Sequence, residues 1–199
     1  MQQPAIMLVA ALALTLGLAA CDGGKPSAKF ASSDITGAEF AQAFTLTDHN
    51  GERRSLADFK GKAVLLFFGF THCPDVCPTT LARAKLALQK LGPDASKVQV
   101  LFVSVDPERD TQEVLKGYVT AFDPSFVGFT GTPEEIKQVA QDFRVIFQKS
   151  KGDGPNDYSV DHSTQTYVYD PQGRIRLYIS HAQDVDAVVH DLKLLLDGA

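Results

Sequence analysis

Apolar positions follow two rhythms along this chain. Ala63 to Phe70, AVLLFFGF, and Val98 to Val105 are almost continuously hydrophobic, which is how strands covered on both faces read. Between them Leu81, Ala84, Leu88 and Leu91 recur at helical spacing, predicting a helix from Thr79 to Leu91 that stops at Gly92-Pro93. Asp110 followed by Glu113 reads as a cap and start for a helix reaching about Phe122. Thr132-Pro133-Glu134-Glu135 starts another, to about Phe143, with a capping residue, a proline at the first helical position and a glutamate at the third. Thr166 to Tyr169 and Ile175 to Ile179 flank the turn residues Asp170-Pro171-Gln172-Gly173, predicting a hairpin. An amphipathic helix from about Asp184 to Leu196 closes the pattern, and Phe44 to Leu46 before the turn Asp48-His49-Asn50-Gly51 reads as a short strand.

The order is therefore strand, helix, strand, helix, short strand, helix, hairpin, helix. Parallel strands with crossover helices, followed by an antiparallel hairpin, predict an α/β protein of thioredoxin-like layout, a central mixed sheet flanked by helices. A length of 199 residues with 44% hydrophobic content suits one compact domain. Lys and Arg number 19 against 24 Asp and Glu, a net charge of -5 with no basic cluster, which argues against a nucleic-acid partner.

The N-terminal residues follow neither rhythm. Ala5 to Ala20 is uncharged and rich in Ala and Leu, too short for the roughly 20 apolar residues of a membrane span and suited to the core of a signal peptide. It ends in Leu18-Ala19-Ala20-Cys21, which resembles the lipobox of bacterial lipoproteins, although no Lys or Arg precedes the apolar run. The resemblance implies a signal peptide over residues 1–20, removed as Cys21 is acylated, and a linker over 21–37 rich in Gly, Ser, Lys and Pro. The folded domain is then expected over 38–199. Asp22 resembles a sorting signal for retention at the inner membrane, so the expected location is the periplasmic face of a bacterial inner membrane. An uncleaved apolar anchor is the alternative, and it too tethers and exports the domain.

The chemistry gathers at the end of the first long strand. Gly69-Phe70-Thr71-His72-Cys73-Pro74-Asp75-Val76-Cys77-Pro78 lies between a buried strand and a helix, where ligands concentrate in α/β sheets. Cysteines four apart at a helix start project to one side, and the positive end of the helix dipole is expected to favour thiolate. Such a pair can close as a disulfide or bind one soft metal ion. With only 3 cysteines in the chain a disulfide scaffold is excluded. Two half-buried thiols are the plainer reading of this spacing, but in the oxidising compartment that the expected export implies, neighbouring thiols without a purpose tend to be oxidised, which favours a functional pair at Cys73 and Cys77.

Three segments carry a wider likeness. GFTHCPDVCP, VSVDPERDT from Val103 to Thr111, and VDHSTQTYVYDPQG from Val160 to Gly173 resemble the signatures of the Sco/SenC family, membrane-tethered copper proteins that help assemble the CuA centre of cytochrome c oxidase. The likeness runs from about Phe40 to the C-terminus. It implies one copper ion, Cu(I) or Cu(II), held by Cys73, Cys77 and His162. It places Asp106, the acid of the VDP motif, near the site, and Asp161 adjoins His162. The implied partners are the CuA-bearing oxidase subunit, an upstream copper donor and, through the lipid, the membrane. Two thiolates suit Cu(I) and an added imidazole accommodates Cu(II), but thiolates also bind zinc, so the choice of copper follows from the resemblance. The segment Lys149 to Tyr158, rich in Gly, Asp, Lys and Pro, is expected to be a mobile loop carrying His162.

Two activities remain open for one dithiol. Copper delivery is not enzymatic, whereas thiol-disulfide exchange, reducing oxidase cysteines through Cys73 and Cys77, would be. The three-residue spacer and the lack of proline between Tyr158 and Asp170 argue against general exchange, and the residues before Cys73 lack the Pro-x-x-x-Thr stretch of a peroxide-reducing site. The other histidines have plainer expectations: His49 as a solvated turn residue, His72 as a neighbour rather than a ligand, His181 and His190 as packing or surface residues. Asp106, Asp110 and Asp161 can each cap helices or form turns, Asp110 above all.

Overall fold

The computed structural model describes residues 29–151 and 158–199. Strands β4 (Ala63–Gly69) and β5 (Val98–Ser104) are buried at every position and pair in parallel, from Ala63 opposite Val98 to Gly69 opposite Ser104. The helix joining them, α1 (Val76–Leu91), starts earlier than its leucine spacing suggests. Pro78 occupies its first turn, where a missing N–H leaves no bond unmade, so Cys77 is already helical. Gly92, at φ 59, ends it in a conformation that disfavours larger residues.

Along the chain come β1 (Ser33–Asp34), β2 (Thr45–Asp48), β3 (Arg53–Ser55), then β4, α1 and β5, then α2 (Gln112–Phe122), β6 (Val127–Thr130) and α3 (Pro133–Asp142). The remainder is β7 (Phe147–Lys151), β8 (Tyr158–His162), β9 (Thr166–Tyr169), β10 (Ile175–Ile179) and α4 (Val185–Leu196). The main sheet runs β1-β10-β9-β4-β5-β6-β2-β3, parallel from β4 through β6 and antiparallel towards both edges. Helices flank it, α1 packing on α4 and α2 on β6. That is the thioredoxin-like layout the order of elements predicts.

Four expectations change. The fold begins before residue 38: Ser33 and Asp34 pair with β10, and buried Asp191 accepts the N–H groups of Ala31 and Ser32, so it takes in part of the stretch expected as a linker. Thr111, not Asp110, caps α2, its hydroxyl accepting the Val114 N–H. His49 is buried rather than solvated, and its Nδ1 accepts the Gly128 N–H at 3.0 Å. The flanks of the Lys149 to Tyr158 segment are ordered strands, because β7 pairs with β8 from Phe147 opposite His162 to Lys151 opposite Tyr158. Residues 1–28, with the signal-peptide and Cys21 readings, lie outside the described residues, as do 152–157.

Candidate metal centre

One ligand atom each from Cys73, Cys77 and His162 lies within 4.8 Å of the other two. Cys77 sits in the first turn of α1, wholly buried, and its backbone N–H donates to the Cys73 sulfur at 3.4 Å. The His162 Nε2 stands 3.5 Å from the Cys77 sulfur across 85 residues of chain. β8 supplies this third group because it ends at His162, and β7 holds it as a hairpin.

Local packing forces this convergence. Gly69 ends β4 beneath the pair: a Cβ there would lie 2.7 Å from the Cys77 sulfur and 2.8 Å and 2.9 Å from Phe102 and Phe67. Only glycine lets the helix bring its thiol so close to the strand end. The loop that follows is tied down by Asp110, which is fully buried. Its carboxylate accepts the Thr71 N–H at 3.0 Å, the Thr71 hydroxyl at 2.6 Å and the Ser104 hydroxyl at 2.6 Å. Burial pushes the Asp110 carboxyl above its ordinary value, against the pull of these three donors. They are the partners a buried carboxyl requires.

The imidazole is oriented just as closely. Its Nδ1 lies 2.8 Å from the Ser163 carbonyl, which can only accept, so Nδ1 carries the proton and Nε2 offers its lone pair to the sulfurs. Edge-to-face contacts with Phe67 and Phe70, at 6.0 Å and 5.8 Å between ring centres, enclose it in apolar surroundings. Burial lowers the His162 pKa below its ordinary value and keeps the ring neutral, the form a metal needs. Burial also pushes the Cys77 thiol far above its usual range. The helix-dipole expectation of a ready thiolate therefore fails at Cys77, where loss of water outweighs the dipole. A cation bound between the groups would supply the charge that lets this proton leave.

The two acids expected near the ligands differ in burial. Asp161 faces solvent, because Tyr158, Val160 and His162 share one face of β8 and Asp161 the other. Asp106 is fully buried; its carboxylate accepts from the Arg109 Nε and, at 2.7 Å, from the Tyr158 hydroxyl. His72 lies outside the ligand set, its side chain 55% exposed and its Nδ1 3.1 Å from the Thr71 hydroxyl. The His181 carbonyl accepts from Arg83 at 2.7 Å, and His190 lies on α4 near the Lys29 carbonyl. Sequence reasoning missed Gly69, Thr71, Arg109 and Tyr158. The first three stand inside the motif segments, but nothing in the spacing says that they touch the site.

The dithiol is free in this structure, with Cys73 partly accessible and Cys77 buried. Two sulfurs and an imidazole nitrogen suit a soft or borderline metal ion.

Comparison with known proteins agrees with this geometry. The SCO1/SenC family model matches residues 32–197. The mitochondrial SCO2 homolog of Bos taurus is 41% identical over 152 residues, 75% of this chain and 57% of that protein, so the chain spans little more than half the length of this relative. Bradyrhizobium japonicum ScoI with copper bound is 42% identical, with a TM-score of 0.71 over 77% of this chain and 98% of that one. Apo Sco1 from Thermus thermophilus is 45% identical, with a TM-score of 0.77 over 86% of this chain and all of the other. With the family model matching residues 32–197 and the three donor groups meeting at one point, this chain belongs to the SCO1/SenC family.

Proposed function

We propose that this protein is a copper chaperone, holding one copper ion between the Cys73 and Cys77 sulfurs and His162 Nε2 and passing it to the CuA-bearing subunit of cytochrome c oxidase. The observation that carries this reading is the mutual approach of the three donor atoms within 4.8 Å. Copper rather than zinc is supported by the copper-bound Bradyrhizobium relative. The oxidase as recipient is supported by the motif resemblance, and the lipobox supports a lipid anchor at Cys21 on the periplasmic face of the inner membrane. Displacement of the Cys77 proton accompanies loading, so the ion enters as the proton leaves.

The site combines firm and weak hold. Two thiolates bind soft copper tightly, while the third ligand comes from a separate hairpin and can be withdrawn without unfolding α1. That division suits an ion that must be surrendered. The test is copper uptake by the full-length protein followed by transfer to a purified CuA domain. One Cu(I) per chain, lost in Cys73→Ser and in Cys77→Ser and passed to the recipient, is the expected result. Failure of the wild-type protein to bind copper would overturn the reading.

A second reading, reduction of oxidase cysteines, is favoured by one specific observation: a partly accessible thiol beside a buried one, as in an attacking and a resolving pair. The raised pKa of Cys77 disfavours it, and Gln165 precedes β9 where exchange enzymes of this layout present a proline. Reduction of an oxidised CuA domain by the copper-free dithiol, absent in either Ser variant, would establish it.

A further inference from the structure

Beside the metal centre lies a cluster that binds no ligand atom yet grips the strand that carries one. The loop after β5 presents Asp106 and Arg109, which pair through the Arg109 Nε. Both residues then reach across to Tyr158, the first residue of β8. The Arg109 guanidinium donates to the Tyr158 carbonyl at 2.9 Å and stacks over its ring at 3.7 Å. The Tyr158 hydroxyl closes the triangle by donating to Asp106 at 2.7 Å. A second cation, Lys149 on β7, lies 4.7 Å from the same ring and is tied to Glu108 at 2.7 Å. Each strand of the hairpin is thus fastened to one short loop.

His162 stands at the far end of β8, about 13 Å along the strand at the usual rise per residue. Phe70 bridges the interval: its ring lies 5.9 Å from the Arg109 guanidinium and 5.8 Å from the His162 ring. No strand pairing ties the hairpin to the main sheet, since β7 and β8 form a separate two-stranded sheet, and packing of Val160 and of the His162 ring is what it shares with the core. A two-stranded hairpin alone is marginally stable in water, so its position depends on such fastenings. Arg can serve here where Lys cannot, because its planar fork donates to Asp106 and to the Tyr158 carbonyl while its face stacks on the ring.

We propose that Arg109, with Asp106 and Tyr158, forms a latch that positions His162 over the dithiol, so that opening it turns a three-ligand site into a two-thiolate one. Arg109 is a positioning residue that acts on the metal through His162. The inference rests on the copper reading above, and the test separates the two. Cu(I) affinity is measured by competition with a chromophoric chelator for the full-length wild type, Arg109→Ala, His162→Ala and the double variant. Positioning groups outside the ligand set typically alter metal affinity by about 10–100-fold, so Arg109→Ala is expected to weaken binding at least about tenfold. In the His162→Ala background the same change is expected to have an effect below about twofold. Arg109→Lys, which keeps the charge but not the fork, is expected to recover only part of the loss.

A copper-free readout accompanies these. Amide hydrogen exchange in Arg109→Ala is expected to speed up over β7 and β8 and stay unchanged over β4 and β5, which also reports an intact fold. Wild-type affinity in Arg109→Ala, an equal loss in the His162→Ala background, or unchanged exchange over the hairpin would overturn the latch while leaving the copper reading standing. Absence of copper binding by the wild type, or an unaffected His162→Ala, would overturn the copper site and the latch with it.

Discussion

The Nε2 of His162 and the sulfur of Cys77 meet at 3.5 Å although 85 residues separate them. Cys77 is fixed to the main sheet through α1, whereas His162 belongs to a hairpin of its own. The site therefore joins groups from a helix on the main sheet and from a second, two-stranded sheet, and its properties depend on what holds each.

The rigid half depends on Gly69. In Gly69→Ala the new methyl would press on the Cys77 sulfur, Phe102 and Phe67, none of which has room to withdraw. Overpacking of this kind costs about 1–3 kcal/mol. Urea denaturation is expected to show that loss in the apo protein, together with weaker copper binding as Cys77 is pushed aside.

Asp110 sets the loop between β4 and α1. Asp110→Ala removes the acceptor for Thr71 and Ser104 in a buried setting, and leaving such donors unpaired costs about 1–3 kcal/mol. Asp110→Asn, which keeps the shape and an acceptor oxygen, is expected to lose less. Chemical denaturation of the two variants against wild type measures the difference.

Acidification is expected to cost stability through His162. Burial depresses its pKa, so the folded protein keeps the ring neutral where the unfolded chain has already taken up a proton. The stability contributed by the neutral ring is present above the ordinary imidazole value of about 6.5 and is lost as pH falls below it. His49, lowered chiefly by its own burial, adds to the same slope. Denaturation midpoints of the apo protein measured between pH 7 and 5 are expected to fall, and to fall less steeply in His162→Gln.

Copper binding should carry a stronger pH dependence of the same sign. The raised Cys77 pKa means that loading expels at least its proton near neutrality. Affinity is then expected to drop about tenfold or more for each pH unit lost. Competition titrations at pH 8, 7 and 6 test this, and a flat profile would argue that Cys77 is not a ligand.

If the lipobox reading holds, Cys21→Ser leaves Cys73 and Cys77 untouched but removes the point of acylation. The variant is expected to leave the membrane fraction, or to accumulate uncleaved, while its solubilised form binds copper as the wild type does. Fractionation and radiolabelled fatty-acid incorporation check both outcomes.

Strands β4 and β5, the helices and the β9–β10 hairpin are legible in the sequence because each follows from a local period of apolar residues and from turn or capping residues nearby. The dithiol is legible for the same reason, since both cysteines lie within one turn of one helix. Motif likeness names His162, yet no local pattern brings it to the cysteines. The β7–β8 hairpin was hidden because β7 is polar after Phe147 and the alternation in β8 spans only five residues, too short a run to announce a strand. Residue type alone suggested that Asp110 caps a helix and that His49 is solvated. Packing assigns each of them elsewhere. Sequence by itself determined the thioredoxin-like order of elements, the cysteine pair and the family likeness. Only the tertiary structure decided which groups share one point in space and which thiol loses its water, because burial and long-range contacts arise only after distant segments have packed.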